Sequence, residues 1–490
     1  MPNESLRPTD REFLRALGNV VFGNPFTPER MALIRHLAPE APGDLTSDRE
    51  ALARVVMPKI APFLRESAPA GLSAEDRQLL EPALLYVAYH RSVPQLDAHI
   101  ERQADKGGEP LAAQFGEEAV RDLVQSGFNE ERAVRFFALF FQLRRAFFFI
   151  DRALAGESAA MQRLRQALWN NMFTHDMRAY EAALWNRMED FSTLLLGETG
   201  TGKGSAAAAI GRSEFIPYLV RERRFAVNFT ESFIAINLSQ VPETLIESEL
   251  FGHRKGAFTG AIDQHHGVFE RCNAHGALFL DEIGEVALPV QIKLLQVLQE
   301  RTFTPVGSRE KKRFSGRVIA ATNRPVAQLR QDGRFREDFY YRLCSDVIHV
   351  PTLRERIRES PAELAELVRL LLSRTAGEAG ATLSARVLEA LARDLPRDYA
   401  WPGNVRELEQ AVRRILLTGG YKPDVGAPAA LDGEERLIAR LRAGNLNADE
   451  LLAGYSAMLY ARLGSYAAVA DRTGFDPRTS RKYVLSAKSG

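Results

Sequence analysis

Cysteine is nearly missing. Cys272 and Cys344 are the only two in 490 residues. Two thiols build neither a disulfide framework nor a zinc site, and they suit a reducing cytoplasm. Net charge is missing as well, at a formal +1. Bulk charge therefore carries no message about partners, and any basic surface must be local. Long apolar runs are absent. The most apolar stretch, 133–150, holds seven phenylalanines but is cut by Arg135, Arg144 and Arg145. It is too short and too charged to span a bilayer. The opening Met-Pro-Asn-Glu-Ser is polar with no apolar signal core behind it, so neither targeting nor membrane attachment is expected. What is present, 45% hydrophobic and 26% charged residues, describes globular protein of about three domains.

The stretch 191–204 organises the rest. An apolar run, Phe191 to Leu196, breaks into Gly197, Glu198, Thr199, Gly200, Thr201, Gly202, Lys203 and Gly204, and small residues of helical character follow to Ile210. Strand, G-x-x-x-x-G-K loop and helix form a phosphate cradle. Glycines let backbone N–H groups curl round the anion, Lys203 adds charge, and the helix offers its N-terminal dipole. Gly204 stands where Ser or Thr usually holds Mg²⁺, so the metal must lean on other groups or water.

Residues 1–157 read as helical, with apolar residues at three- and four-residue spacing (Leu79, Leu80, Ala83, Leu84, Val87; Val134, Phe137, Ala138, Phe141). The phenylalanine stripe fits a helix buried in a bundle core better than the lining of a ligand pocket. No strand alternation supports a receiver-type sheet. Another helical stretch, 158–190, leads to the phosphate loop. In it Thr174-His175-Asp176 is polar enough to sit near a bound base, though a lone histidine is more often structural.

From 191 to about 350 strands and helices alternate. Phe233–Asn237, Gly276–Glu282 and Arg317–Asn323 are further strands, and Val290–Gln299 is a helix. The third strand ends in Asp281 and Glu282, at the carboxyl edge where open α/β sheets put their chemistry. Asp281 suits the Mg²⁺ shell, through water, and Glu282 suits polarising an attacking water. Two inserts interrupt this core. Glu249–Ala261 contains Gly256, Ala257, Phe258, Thr259, Gly260 and Ala261, which reads as an exposed mobile loop. An exposed Phe on such a tip is costly unless it meets a partner. Val306–Gly316 carries Arg309, Lys311, Lys312 and Arg313, most simply a solvated loop.

The chain is helical again over 352–420, with Trp401-Pro402-Gly403-Asn404 opening a helix that carries Arg406 in its first turn. Residues 421–433 read as a linker. In 434–490, a helix from Ser465 closes at Thr473-Gly474, and Asp476-Pro477 starts the next. This is a helix-turn-helix pattern in a locally basic segment, with Arg478, Thr479, Arg481 and Lys482 placed for groove and phosphates.

Together these motifs resemble the sigma-54-dependent transcriptional activators, bacterial enhancer-binding proteins of the AAA+ class, over 190–420 and less closely over 440–487. The resemblance implies a multidomain α and α/β protein: a helical regulatory domain (1–157), an AAA+ domain (158–420, with a helical lid from 352) and a Fis-like helix-turn-helix (434–490). It implies ATP and Mg²⁺ as cofactors. Asn237 matches the residue that restrains the catalytic glutamate, and Asn323 stands at sensor I. Arg336 and Arg342 match the arginine-finger segment, and Arg406 matches sensor II. Gly256–Ala261, Gly-Ala-Phe-Thr-Gly-Ala, matches the loop that grips sigma-54, and the basic insert sits where the family carries its second loop. The implied partners are the sigma-54 RNA polymerase holoenzyme, double-stranded enhancer DNA, and further copies of the chain in a hexamer. An AAA+ remodeller of another protein, or a repressor whose nucleotide sets its oligomeric state, are the alternatives.

Overall fold

The computed structural model describes residues 6–41, 45–65, 72–377, 380–423 and 446–486, with isolated positions between 437 and 444. Contacts divide the chain into two units, Met1–Tyr421 and Lys422–Gly490.

Seven long helices precede the first strand: α1 (Pro8–Phe22), α2 (Pro28–Leu37), α3 (Leu45–Arg65), α4 (Ala74–Lys106), α5 (Phe115–Gln125), α6 (Glu130–Ala153) and α7 (Ala159–Phe173). Short polar side chains start several of them. Ser73, Asn129 and Ser158 accept from the N–H three residues on, satisfying donors that have no partner within the helix. The apolar spacing predicted for α4 and α6 is realised as burial of Leu80, Ala83, Val87, Phe137 and Phe141.

The sheet has five parallel strands: β1 (Thr193–Leu196), β2 (Phe233–Asn237), β3 (Ala277–Asp281), β4 (Arg317–Thr322) and β5 (Asp346–His349), in the order β2-β3-β4-β1-β5. Register pairs Asn237 with Asp281, and Leu196 with both Thr322 and His349, so the carboxyl ends share one edge. Both faces are covered, which is why the central strands read as unbroken apolar runs. One face meets α9 (Glu243–Phe251), α10 (Leu288–Glu300) and α11 (Glu337–Leu343) through Ile246, Leu294 and Phe339. Helix α10 begins two residues before the predicted start because Pro289 is tolerated in a first turn.

The other face meets α8 (Lys203–Gly211), which presents Ala206, Ala207 and Ile210, and then the helices before β1. A single hydrophobic cluster runs from Leu6 to Val350, so those helices and this face of the sheet form one core. The phenylalanine helix α6 is its pivot. Phe141 stacks on Phe225 with centroids 3.7 Å apart. Arg145, fully buried, donates to the carbonyls of Arg212 and Glu214 just beyond α8, at 2.7 Å each.

After β5, α12 (Leu353–Glu359), α13 (Ala362–Ala376), α14 (Gly380–Asp394) and α15 (Asn404–Thr418) gather round Trp401, Leu408 and Val412. In the second unit, α16 (Ala448–Leu463), α17 (Tyr466–Thr473) and α18 (Pro477–Ser486) enclose Leu459, Val469 and Val484. Glycines 464 and 474, both left-handed, end α16 and α17. The predicted linker 421–433 lies outside the described residues beyond Pro423. Among the described residues no helix is long and apolar enough to cross a membrane.

Candidate nucleotide site and partner loops

The phosphate loop leaves β1 at Gly197 and enters α8 at Lys203. Gly200 and Gly202 take φ of 78° and 102°, which side chains with a Cβ rarely adopt. Lys203 turns back into the loop, donating to the carbonyls of Gly197 (2.7 Å) and Glu198 (3.1 Å). Its ammonium is largely desolvated, which pushes its pKa down against the opposing pull of Glu282 and Asp281. A desolvated cation at a helix N-terminus is a site that gains from an anion. A Cβ on Gly204 would meet nothing within 4 Å, so no packing demand explains this glycine.

Asp281 and Glu282 sit at the carboxyl edge beside the loop. Desolvation pushes the Asp281 carboxyl upward, against the N–H of Glu282 (3.0 Å) and the charges of Lys203 and Arg406. That N–H is the one hydrogen bond its carboxylate receives among the described residues, so lone pairs remain for a hydrated cation. A hydrated Mg²⁺ would fit Asp281 on that ground. The backbone of Glu282 is left-handed (φ 56°, ψ 46°), and its carboxylate accepts from Asn323 N–H at 3.3 Å. The Asn323 amide donates to Thr199 Oγ1 at 2.9 Å. Thus loop, acidic strand end and β4 terminus meet.

Asn237 is close by register, but its Oδ1 is occupied by Ser239, accepting from its N–H (3.0 Å) and hydroxyl (2.7 Å). In this structure Glu282 is held by Asn323 instead. Thr174-His175-Asp176 forms a capping turn, with Asp176 accepting from Arg178 N–H. The cavity beside Gly197 and Glu198 is lined instead by Ala160, Arg163, Leu164 and Ala167 of α7 and by 347–352 and Glu355.

The lid docks on the loop through residues that sequence reasoning passed over. Asn404, at φ 52°, donates to Glu198 (3.1 Å) and to the Thr199 carbonyl (3.0 Å), while its Oδ1 accepts from Leu353 N–H. Val405 N–H donates to Gly200 O at 3.1 Å. Arg354 pairs with Glu198, holding that carboxyl below its usual range. The only sequence signal was an asparagine after Pro-Gly, a residue type that tolerates the left-handed region. Arg406 lies near enough for its charge to act on both Lys203 and Asp281.

Arg336 caps the start of α11, and Arg342 lies in its last turn. Arg336 is partly exposed and pairs with Asp338 (2.8 Å), two residues on. Arg342 is tied down, giving two N–H groups to Leu298 O at 3.0 and 2.8 Å.

The two inserts form one structure. His253 bridges to His265 and to Val306, and Arg254 pairs with Glu310 at 3.0 Å. The second insert is a loop whose base is closed by a two-residue antiparallel ribbon, Thr302–Phe303 against Lys312–Arg313, and its Arg309, Lys311 and Arg313 are exposed. Its Lys311 and Lys312 are paired with Glu300 and Glu270. At the first loop's tip, Gly256 N–H to Ala261 O (2.8 Å) closes a small turn. Phe258 is 38% exposed, edge-on to His253 at 4.9 Å, and Ile262 is 75% exposed.

On α18, Arg478, Arg481 and Lys482 are exposed. Thr479 serves the helix start: its hydroxyl donates to Asp476 at 2.6 Å and its N–H to the same carboxylate at 3.0 Å.

Family models match in the same places. Residues 171–349 match a sigma-54 interaction domain, and 358–423 an AAA+ ATPase lid domain. The chain is 42% identical over 283 residues to the Nif-specific regulatory protein of Azotobacter vinelandii, covering 53% of this chain and 50% of that one. It is 40% identical over 262 residues to the DNA-binding transcriptional regulator NtrC of Azospirillum brasilense, covering 54% and 47%. The chain thus spans about half the length of the curated relatives it matches. A crystal structure of NtrX from Brucella abortus in complex with ATP aligns at 23% identity over 76% of this chain and 80% of that one, with a TM-score of 0.40.

Proposed function

We propose, from the premise that this chain carries the sigma-54 interaction domain and AAA+ lid of the sigma-54-dependent activators, that it hydrolyses ATP in an oligomeric ring to remodel a sigma-54 RNA polymerase closed complex. The observation that carries this is convergence. Lys203, Asp281, Glu282 and Asn323 meet at one sheet edge, within the field of Arg406. On the same unit Gly256–Ala261 carries Phe258, 38% exposed and edge-on to His253.

In this reading Gly197–Gly204 cradles the phosphates and Lys203 gains an anionic partner. Glu282, aligned by Asn323, polarises water. Asp281 holds hydrated Mg²⁺, which supplies charge neutralisation at the phosphates. Arg406 acts from the lid. Arg336, partly exposed and only locally paired, is the finger offered to a neighbouring subunit's nucleotide, while Arg342 positions α11. A trans arginine makes turnover depend on assembly, as a hexamer would require.

A route from site to tip exists in the packing. The turn Ile283–Glu285, next to Glu282, touches the turn Leu238–Gln240, which begins at Asn237 and leads through α9 into the loop. Residues 1–157 are the regulatory part of this scheme. Residues 434–490 bind enhancer DNA through Arg478, Arg481 and Lys482, with Thr479 setting the helix start. The test is co-elution of purified sigma-54 with the chain trapped by ADP–aluminium fluoride. Complex formation only with the trap supports the proposal, and none with the trap, in a protein that hydrolyses ATP, favours another protein target. Glu282→Gln should bind ATP and cut turnover about 100-fold or more; undiminished turnover would remove Glu282 from its role.

A further inference from the structure

The lid turn that leads into α15 carries two left-handed residues that are not glycine, Trp401 (φ 50°) and Asn404 (φ 52°). Such a backbone persists only where neighbouring groups hold it. Trp401 is held by packing. It is buried and meets the Tyr399 ring edge-on at 5.2 Å. The rest of the turn is held by one carboxylate. Glu407 accepts from Gly403 N–H at 2.8 Å through one oxygen, and from the hydroxyls of Tyr399 and Tyr421 (3.1 Å for the latter) through the other. Gly403 caps the start of α15, where its N–H has no helical carbonyl to meet. A Cβ on Gly403 would stand 2.7 Å from Glu407 Cβ, so the approach needs glycine. Tyr421 is itself tied back, its N–H donating to Asp394 at 2.9 Å.

Gly403 is confined on two sides. Its N–H is on Glu407, and its carbonyl lies where a Cβ on Gly200 would meet it at 2.3 Å. The next three residues are the lid's contacts with the nucleotide site. Asn404 donates to Glu198 and the Thr199 carbonyl, Val405 N–H donates to Gly200 O, and the charge of Arg406 acts on Lys203 and Asp281. A shift of Gly403 is therefore a shift of all three.

We propose that Glu407 is a positioning residue for ATP turnover: clamped by two tyrosine hydroxyls, it fixes Gly403 and so sets where Asn404, Val405 and Arg406 meet the phosphate loop. The clamp stands on the hydrogen bonds alone. Its effect on ATP rests on the nucleotide reading above. A plain helix cap would stabilise the lid without coupling to Asn404, so coupling is the quantity that separates the two roles.

Glu407→Leu keeps the bulk and removes the acceptor, and Glu407→Gln keeps an acceptor for Gly403. In the full chain, titrated with Mg²⁺ and the fluorescent analogue mant-ATP, Glu407→Leu should raise the Kd about tenfold and Glu407→Gln by no more than about threefold. Asn404→Ala should raise it about tenfold on its own. Because Glu407 acts through the turn that carries Asn404, the double variant should stay near about tenfold rather than reach about a hundredfold. A hundredfold loss there, or an unchanged Kd in Glu407→Leu, overturns the positioning role. Should Glu407→Leu fold poorly, Tyr399→Phe combined with Tyr421→Phe takes its place, with a rise of about threefold expected; no rise refutes the role. Amide exchange without nucleotide reads the clamp itself. Peptides spanning 399–408 should exchange about tenfold faster in Glu407→Leu, while those of β4 keep the parent rate. Equal exchange over 399–408 overturns the clamp. If the parent chain fails to bind mant-ATP, the nucleotide reading falls instead, and the exchange rates still decide the clamp.

Discussion

Gly200 in the phosphate loop and Gly204 in the first turn of α8 lie four residues apart, and the structure assigns them opposite tolerances. At Gly200 the backbone is left-handed, which costs any other L-residue about 1–2 kcal/mol. A Cβ there would stand 2.3 Å from Gly403 O and 3.0 Å from Arg406 Cβ. The first is backbone, so the lid must move. Moving it gives up Val405 N–H to Gly200 O and strains the two bonds from the Asn404 amide. At about 0.5–1.5 kcal/mol for each bond lost, Gly200→Ala should destabilise the first unit by about 3–5 kcal/mol and abolish ATP binding. At Gly204 the Cβ meets open space inside a helix. Ala there should be neutral or add up to about 1 kcal/mol, with turnover kept. Urea unfolding of both variants, followed by Mg-ATP titration, checks the pair. Gly200→Ala with parental ATP affinity and a stability loss under about 0.5 kcal/mol would refute the geometry, and so would loss of turnover in Gly204→Ala.

Arg145→Met should cost about 2–5 kcal/mol in urea unfolding, because it leaves the carbonyls of Arg212 and Glu214 buried without donors. A loss under about 0.5 kcal/mol would show that α6 is not anchored there. The pH profile has a defined sign. Burial raises the Asp281 carboxyl, and its working form is the carboxylate. Turnover, read as kcat/KM, should therefore fall on acidification through an acid limb above the ordinary aspartate value of about 3.9. A limb at or below that value would contradict the burial argument.

What the sequence disclosed was local. A strand, a glycine turn and a helix are adjacent in the chain, so Gly197–Gly204 could be read in one pass. The pairing of Asp281 and Glu282 at a strand end was readable for the same reason. Caps were readable too, since Asp476 and the helix it starts are neighbours. What stayed hidden depends on distant contacts. Asn404 reaches Glu198 and Thr199 across separations of 206 and 205 residues, and no periodicity marks it. Lys312 looked solvated because its carboxylate partner, Glu270, lies elsewhere in the chain. Thr479 looked like a contact residue because the sequence shows its type, not that its hydroxyl is committed to Asp476. The phenylalanine stripe was rightly read as buried, yet the stack of Phe141 on Phe225 appears only when the helices are assembled.

The central claim is that ATP hydrolysis at the Glu282 edge is spent through the Gly256–Ala261 tip. The most direct measurement is a permanganate footprint on a sigma-54 promoter, with the full chain, sigma-54 polymerase and ATP. The same assay with Thr259→Ala must be run beside an ATPase measurement on both proteins. The account predicts ATP-dependent melting with the parent chain and none with Thr259→Ala, at equal ATP turnover. Full melting by Thr259→Ala, or ATP turnover by the parent chain without melting on any sigma-54 promoter tried, would contradict it.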